Sequence, residues 1–207
     1  MLSNPFLFSL MRVLPARSAS WLGGWLSVHG ARPRMKLRDA RARANLALLR
    51  PDLDEAAREA MLTRRWRNIG RTLAELANVD RLVNDAHVEV VDRAGYQAVL
   101  DGPRPLLALS LHLGNWDLLG AHGKALTDRP GLGVYAPPRD ERTAAQLQKA
   151  RQSYMGETIT GDGAARRILK HLTSHPRASL YILLDERRDF QVWFPKLGRT
   201  LPPSGNL

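Results

Sequence analysis

The sequence contains no cysteine, which excludes disulfide bonds, thiolate catalysis and zinc sites built from cysteine. It also lacks an apolar run of the roughly 20 residues that a membrane-spanning helix needs, since the apolar stretch over residues 4–30 is interrupted by Arg12, Pro15 and Arg17. A secretory signal would place positive charge before an apolar core and a small-residue cleavage site after it, and neither is evident. No zinc knuckle, RNP-like aromatic strand or helix-turn-helix signature is present. The sequence therefore indicates neither a standard nucleic-acid module nor a spanning helix.

The composition that remains is globular and strongly basic. Of the 207 residues, 44% are hydrophobic and 25% are charged, which is typical of a protein with a buried core. The 31 Lys and Arg residues outnumber the 20 Asp and Glu residues, giving a net charge of +11 and a pI near 10.9. Such a surface attracts anions, so charge alone allows nucleic acid, anionic lipid headgroups or acidic proteins as partners.

The N-terminal region combines aromatic residues with a basic stretch. Trp21 and Trp25 are four residues apart, which predicts that both lie on one face of a short helix at a membrane interface. A run of cations follows, which can contact an anionic membrane surface: Arg32, Arg34, Lys36, Arg38, Arg41 and Arg43. Residues 1–35 are therefore predicted to be a membrane-associating segment. The alternatives are a helix pair packed on the protein's own core, a solvated basic face and, from charge alone, a nucleic-acid contact, which we do not predict.

Residues 36–207 are predicted to be the second domain, with helices first and alternating elements afterwards. Helical periodicity runs from Lys36 to Leu82, with a break at Pro51 and an N-cap at Asp52 or Asp54. Strands are then predicted over 88–91, 106–111, 131–135, 178–184 and 191–195, and helices over 94–100, 118–121, 143–154 and 163–172. Strands that are apolar on both faces and alternate with helices are typical of an α/β fold with a largely parallel sheet flanked by helices.

A histidine and an aspartate follow the strand over 106–111. A turn at Gly114 would leave His112 at the tip of the strand and Asp117 in the first turn of the next helix, with Asn115 as the N-cap. The carboxylate could then fix the tautomer of the imidazole, and His112 Nε2 could take a proton from a substrate hydroxyl. The alternative is a structural one, in which Asp117 is a favourable charge at a helix start and His112 a polar residue at a strand end.

The sequence around these two residues carries a family resemblance. Ser-Leu-His-Leu-Gly-Asn-Trp-Asp, residues 110–117, followed by Gly120, closely resembles the signature of the bacterial lipid A biosynthesis acyltransferases. These lauroyl/myristoyl transferases belong to the lysophospholipid acyltransferase superfamily, whose members share His-x4-Asp/Glu. Further segments are similar to the family in the same order, over nearly the whole chain: Arg43–Leu46, Arg65–Arg71 with Glu75, Val134–Pro137, Arg151 with Gly156, Leu184–Glu186 and Phe194–Arg199.

The resemblance implies a lysophospholipid-acyltransferase-like fold and a specific reaction. An acyl chain would pass from an acyl carrier protein thioester to a hydroxyl of a lipid A precursor, with His112 as the base and Asp117 as the residue that orients it. Substrate contacts are expected from Asn115, Arg151, Asp185 and Arg199, with Arg151 binding phosphate or the charge that develops on the thioester carbonyl. Arg151 could instead be an arginine on a helix surface, and Asp185 and Arg199 could be members of structural ion pairs. The implied location is the cytoplasmic face of the inner membrane, and the reaction requires no metal or cofactor.

The sequence departs from the family at its C-terminal end. Relatives continue beyond the segment that matches Phe194–Arg199, so the resemblance predicts a chain that is incomplete at its C-terminus. Glu186 also stands where many relatives carry Gln or His. These differences leave two alternatives open, a non-catalytic, truncated, membrane-peripheral remnant and an acyltransferase for another glycolipid or a lysophospholipid.

Overall fold

The computed structural model describes residues 5–84, 88–135, 140–159, 163–183, 194–196 and 199–201. The chain forms two compact units, Met1–His87 and Val88–Leu207. This division follows contacts within each unit, whereas the boundary predicted after residue 35 follows composition. The membrane role predicted for residues 1–35 stays a prediction.

The first unit is helical throughout its described part. A π-helical turn, Ser27–Ala31, and a 3-10 turn, Leu76–Asn78, connect helices whose bounds are α1 Pro5–Val13, α2 Ala16–Leu26, α3 Arg32–Arg34, α4 Lys36–Leu49, α5 Glu55–Glu75 and α6 Val79–Asn84. The break at Pro51 is confirmed, and the N-cap of α5 is Asp54, whose carboxylate accepts from the backbone N–H of Ala57 at 2.7 Å. Asp52 instead accepts from Arg50 at 2.7 Å and 2.6 Å.

Small residues form the interior of the first unit where α2 crosses α5. Met11, Ala19, Ala74 and Ala77 are buried together. A Cβ atom added to Gly70 would lie 2.2 Å from the carbonyl oxygen of Gly23, so the two backbones are in direct contact. The crossing therefore depends on the absence of side chains at these two glycines.

The second N-terminal helix, α2, has one packed face and one aromatic face. Trp21 is 64% exposed and Trp25 is 49% exposed, on the face of α2 opposite the buried Ala19 and Gly23. The helix therefore packs on its own core and also presents both tryptophans to solvent. Among the described helices, none is both long enough and apolar enough to cross a bilayer.

The second unit is an α/β arrangement, as the sequence predicts. Its described helices and strands are α7 Arg93–Asp101, β1 Leu106–Ser110, α8 Asp117–Leu126, β2 Gly131–Val134, α9 Glu141–Tyr154, β3 Glu157–Ile159, α10 Ala164–Ser174, β4 Ser179–Leu183, β5 Phe194–Lys196 and β6 Arg199–Leu201. The first four strands form a parallel sheet in the order β1-β4-β2-β3, and β5 pairs with β6 as an antiparallel hairpin. Leu132, Ile159 and Leu180 form the centre of its core.

Two details of the predicted sheet are wrong. Residues 88–91 form no strand, because a β-branched run becomes a strand only where a neighbour pairs with it, and the described part of the sheet offers none there. The strand over 106–111 is not buried on both faces, since Leu107 and Leu109 are exposed. The reason is position, because β1 lies at an edge of the described sheet.

Candidate active site

The candidate site begins where β1 ends and α8 begins. Between them Gly114 adopts φ +59°, in the left-handed region that favours glycine. A Cβ added to Gly114 would meet nothing within 4 Å, so the glycine is needed for the backbone conformation of the turn and not for close packing. This confirms the turn predicted at Gly114. His112 is exposed on the strand side of the turn, and its ring lies edge-on to that of Trp116 with 4.7 Å between the centroids.

Asn115 is not the N-cap of α8. Trp116 occupies that position, and its side chain makes no capping hydrogen bond. Asn115 takes part through its backbone, since its carbonyl oxygen accepts from the N–H of Leu118 at 3.2 Å. The helix starts one residue later than the N-cap prediction requires, so Asp117 is its first residue and lies close to its positive end.

Asp117 is buried and forms a two-point ion pair with Arg151 of α9. Arg151 Nε donates to Oδ1 at 3.2 Å, and Nη2 donates to Oδ2 at 3.3 Å. The side chains are only 2% and 11% exposed, so little water screens the pair. The guanidinium also lies over the ring of Tyr135, 4.8 Å from its centroid. Two of the three guanidinium nitrogens are thus engaged in holding a carboxylate.

Two groups next to the Asp117 carboxylate, Arg151 and Tyr154, have raised pKa values. Burial disfavours the cation of Arg151, but the adjacent Asp117 carboxylate outweighs burial and raises the pKa of Arg151 above its ordinary value. Burial, together with the negative charge of Asp117, raises the pKa of the Tyr154 hydroxyl far above its ordinary value. Tyr154 therefore stays a neutral phenol beside a fixed ion pair.

A cleft opens beside the ion pair at the carboxyl ends of the strands. It has about 430 Å³ of empty space, including its open mouth, with Asp117 and Arg151 on one side. The other walls are mostly apolar, formed by Trp116, Leu119, Val134, Met155, Ile182 and Leu183. A Cβ on Gly120 or Gly133 would come within 2.8 Å and 2.7 Å of the Met155 side chain, so these glycines make room for it. A polar end and apolar walls suit a ligand with a reactive polar group and a hydrocarbon chain.

The predicted site residues are brought together only in part. The segment from His112 to Asp117 and the side chain of Arg151 lie at one end of the sheet. Asp185 lies outside the described residues, and Arg199 is described only as backbone, paired with Lys196 in the β5–β6 hairpin. The substrate-binding roles of Asn115, Arg151, Asp185 and Arg199 stay predictions.

The sequence interpretation did not single out Tyr135 and Met155, which line the cleft, or Tyr154, which lies beside the ion pair. Tyr135 directly follows β2, at the carboxyl end where sites of parallel sheets form. Tyr154 is three residues after Arg151, and this spacing places two helical residues on one face. Both signals were readable in the sequence.

A comparison with known protein families shows to which family the chain belongs. Residues 4–189 match the sequence profile of the family described as bacterial lipid A biosynthesis acyltransferase. The chain belongs to this family. No curated protein matches the sequence significantly.

The family match confirms the resemblance and the general activity. It spans most of the first unit as well as the segment from His112 to Asp117 and Arg151, so both units are part of the shared pattern. The chain is an acyltransferase of lipid A biosynthesis, with a parallel sheet flanked by helices as its central element.

Proposed function

We propose that this lipid A acyltransferase moves a fatty acyl chain from an acyl carrier protein thioester to a hydroxyl of a lipid A precursor. One observation carries the proposal. An exposed imidazole, His112, contacts the Trp116 wall of a largely apolar cleft, and the next wall residue is the buried, ion-paired Asp117. General-base catalysis on a substrate hydroxyl needs an accessible imidazole, and a carboxylate held in place can orient that ring and stabilise the imidazolium.

In the proposed reaction His112 acts first as a base and then as an acid. Nε2 accepts the proton of the acceptor hydroxyl while that oxygen bonds to the thioester carbonyl carbon. The tetrahedral intermediate then collapses, the C–S bond breaks, and the imidazolium returns its proton to the departing thiolate. Asp117 orients the ring and stabilises the imidazolium, and Arg151 holds Asp117 in place.

The apolar walls of the cleft suit the hydrocarbon end of the donor. Leu119, Val134 and Met155 offer hydrocarbon contacts, and each buried methylene contributes about 0.8 kcal/mol. The acceptor and the charged part of the donor would be contacted by Asn115, Asp185 and Arg199, and Arg151 would add a substrate contact through its third nitrogen, Nη1.

We further propose that the first unit contacts the cytoplasmic face of the inner membrane peripherally. The exposed rings of Trp21 and Trp25 support this, because amphipathic aromatic side chains favour the headgroup region. The basic stretch between Arg32 and Arg43 adds attraction to anionic lipids, worth about 1 kcal/mol for each cation near the surface.

The test is acyl transfer in detergent micelles with a lipid A precursor and a set of acyl carrier protein thioesters. His112→Ala should lower kcat/KM by about 10²–10⁴-fold with unchanged thermal unfolding, since the side chain is exposed. His175→Ala is the matched control, because His175 is also exposed but lies after α10, and it should retain full activity. Undiminished transfer by His112→Ala would refute the base assignment, and equal rates with acyl coenzyme A would refute the choice of donor.

A further inference from the structure

A second concave surface lies on the first unit, between α4 and α5. This groove is lined by Arg38, Arg41, Ala42, Asn45, Leu46 and Leu49 of α4 and by Met61 and Arg65 of α5. It has about 890 Å³ of empty space, including the side that is open to solvent. None of its lining residues belongs to the candidate active site, so the groove needs its own explanation.

Two groups of arginines can be distinguished near the groove. Arg32 pairs with Asp39 at 2.9 Å and with Glu59 at 2.7 Å, and Arg43 pairs with Glu55 and Glu59, so these two hold α4 against α5.

The second group lines the groove. Within the described residues, Arg38, Arg41 and Arg65 form no ion pair. Arg38 approaches the sulfur of Met35 at 4.0 Å, and Arg65 lies over the ring of Trp66 at 5.4 Å. Three cations therefore converge on the groove without a carboxylate among them.

The cations are concentrated at one end of the groove. Trp66 Nε1 donates to Asp39 at 2.6 Å, which sets the neighbouring Arg65 beside the turn that carries Arg38 and Arg41. The pairing of Arg43 with Glu55 and Glu59 sets the following turns of α4 beside the start of α5.

Apolar side chains occupy the other part of the groove. Leu46 and Leu49 lie on the later turns of α4, and Met61 lies on α5 before Arg65. The groove is thus cationic at one end and apolar along the rest, which is the complement of an anionic amphiphile.

We infer that this groove binds an anionic phospholipid, with its phosphate among the guanidinium groups of Arg38, Arg41 and Arg65. Arginine forks match phosphate oxygens in pairs, and the acyl chain would lie over Leu46, Leu49 and Met61. An acidic protein helix is the less suitable occupant, because it would distribute its carboxylates along the groove while the cations lie at one end. The charge of the surrounding sequence also favours an anionic ligand, since residues 32–71 contain twelve Lys and Arg against five Asp and Glu.

This inference goes beyond acyl transfer, because the groove would bind its lipid whatever acceptor the cleft uses. The first test measures binding of the full chain to phosphatidylcholine vesicles with and without phosphatidic acid. Arg41→Gln should weaken binding on the order of tenfold or more. Arg64→Gln removes the same charge from an exposed position outside the groove, and it should cost about fivefold or less. Equal losses in the two variants would overturn the site in favour of general surface charge.

An uncharged pair of variants tests the apolar end. Leu48 and Leu49 are both exposed on α4, 63% and 55%, but only Leu49 lines the groove. Leu49→Gln should weaken binding to the phosphatidic acid vesicles by about tenfold, and Leu48→Gln should leave it within about twofold. Equal behaviour of the two variants would overturn a chain-binding groove.

A binding experiment in solution distinguishes a phospholipid from other anions as the ligand of the groove. Short-chain phosphatidic acid, below its micelle concentration, should bind the wild-type chain in calorimetry and lose affinity in Arg41→Gln and Leu49→Gln. Short-chain phosphatidylcholine and inorganic phosphate should not bind measurably. Equal binding of inorganic phosphate would reduce the groove to a simple anion site, and binding of a polyglutamate peptide with the same variant dependence would assign it to an acidic protein. Either result would overturn the proposal.

Discussion

Arg151 donates from Nε and Nη2 to the two carboxylate oxygens of Asp117, at 3.2 Å and 3.3 Å. The contact joins α9 to the first residue of α8, 34 residues earlier in the chain. It fixes the carboxylate that is proposed to orient His112. An arginine that the sequence assigns to the substrate thus holds a carboxylate, and in the proposed reaction it would act by positioning Asp117.

Replacing Arg151 by Gln should destabilise the protein strongly. Asp117 would remain buried without its counter-ion, and breaking a buried ion pair in this way typically costs about 3–5 kcal/mol. Urea denaturation of the full chain measures the free energy of unfolding. Arg151→Lys should lower the free energy of unfolding by a smaller amount, because lysine keeps the positive charge and loses only the two-point geometry.

A double-mutant cycle with Asp117→Asn separates the pair from the individual residues. Asp117→Asn combined with Arg151→Gln should be more stable than the sum of the two single losses, because the double variant buries no lone charge. Additive losses would contradict an energetic coupling between the two side chains.

The close contact between α2 and α5 predicts that substitutions at Gly70 and Gly30 differ in their effect on stability. A Cβ on Gly70 would lie 2.2 Å from the carbonyl oxygen of Gly23, whereas a Cβ on Gly30 would meet only the end of the Arg34 side chain at 3.8 Å. Gly70→Ala should therefore lower the free energy of unfolding by about 1–3 kcal/mol or more. Gly30→Ala, the matched control, should be neutral or slightly stabilising in the same thermal denaturation. Similar melting temperatures for the two variants would rule out close backbone contact at the crossing.

Local signals account for the parts of the fold that the sequence predicted. Pro51 ends α4 and Asp54 starts α5, because the proline ring and the capping carboxylate act within a few residues. The strand β3 was missed, since its three residues, Glu157–Ile159, are too short and too polar at their start to stand out. The strand β3 joins the sheet by pairing with β2, and the local sequence of β3 does not indicate this pairing.

The candidate site shows the same limit. His112, Gly114 and Asp117 were predicted correctly in their positions around a strand-to-helix turn, because that arrangement is local. The partner of Asp117 was not predicted, because the ion pair depends on how α8 packs on α9. Sequence patterns thus locate polar groups at the end of a strand, and only packing decides which of them face one another.

The lowered pKa of Glu59 predicts that the protein loses stability in acid. Hydrogen bonds from Arg32 and Arg43 lower the pKa of Glu59 from 4.5 to about 2. Because the pKa is lower in the folded chain, the stabilisation is complete above about pH 4.5 and is lost as the pH falls towards 2. The carboxylate is nearly half exposed, so the loss should be about 1 kcal/mol or less.

Urea denaturation between pH 6 and 2.5 measures this contribution. Glu59→Gln should lower stability at pH 6 and show a flatter dependence on pH below about 4.5, because the titrating group is gone. Glu141→Gln, at the exposed start of α9, is the charge-matched control and should keep the slope of the wild type. An unchanged slope in Glu59→Gln would contradict the assignment.

Arg129 connects three segments of the second unit through backbone carbonyls. It is 4% exposed, and its Nε donates to the carbonyl of Leu100, at the end of α7, at 2.6 Å. Nη1 donates to the carbonyls of Arg104 and Arg177, at 2.9 Å and 3.1 Å, just before β1 and β4. Nη2 donates to the carbonyl of Gly102. One side chain thus satisfies carbonyls at the end of α7 and directly before β1 and β4.

Arg129→Lys should destabilise the second unit although it preserves the charge. A single ammonium group cannot reach carbonyls on all three segments, and each lost hydrogen bond to a buried charged group costs about 1.5–3 kcal/mol. Arg104→Lys is the matched control, since the Arg104 side chain is exposed, and it should change the free energy of unfolding by less than about 0.5 kcal/mol. Hydrogen exchange should localise the effect, because the N–H of Leu106 bonds to the carbonyl of Ala178 at the shared start of β1 and β4. Faster exchange of that amide in Arg129→Lys is the expected result, and unchanged exchange would show that the strands do not depend on Arg129.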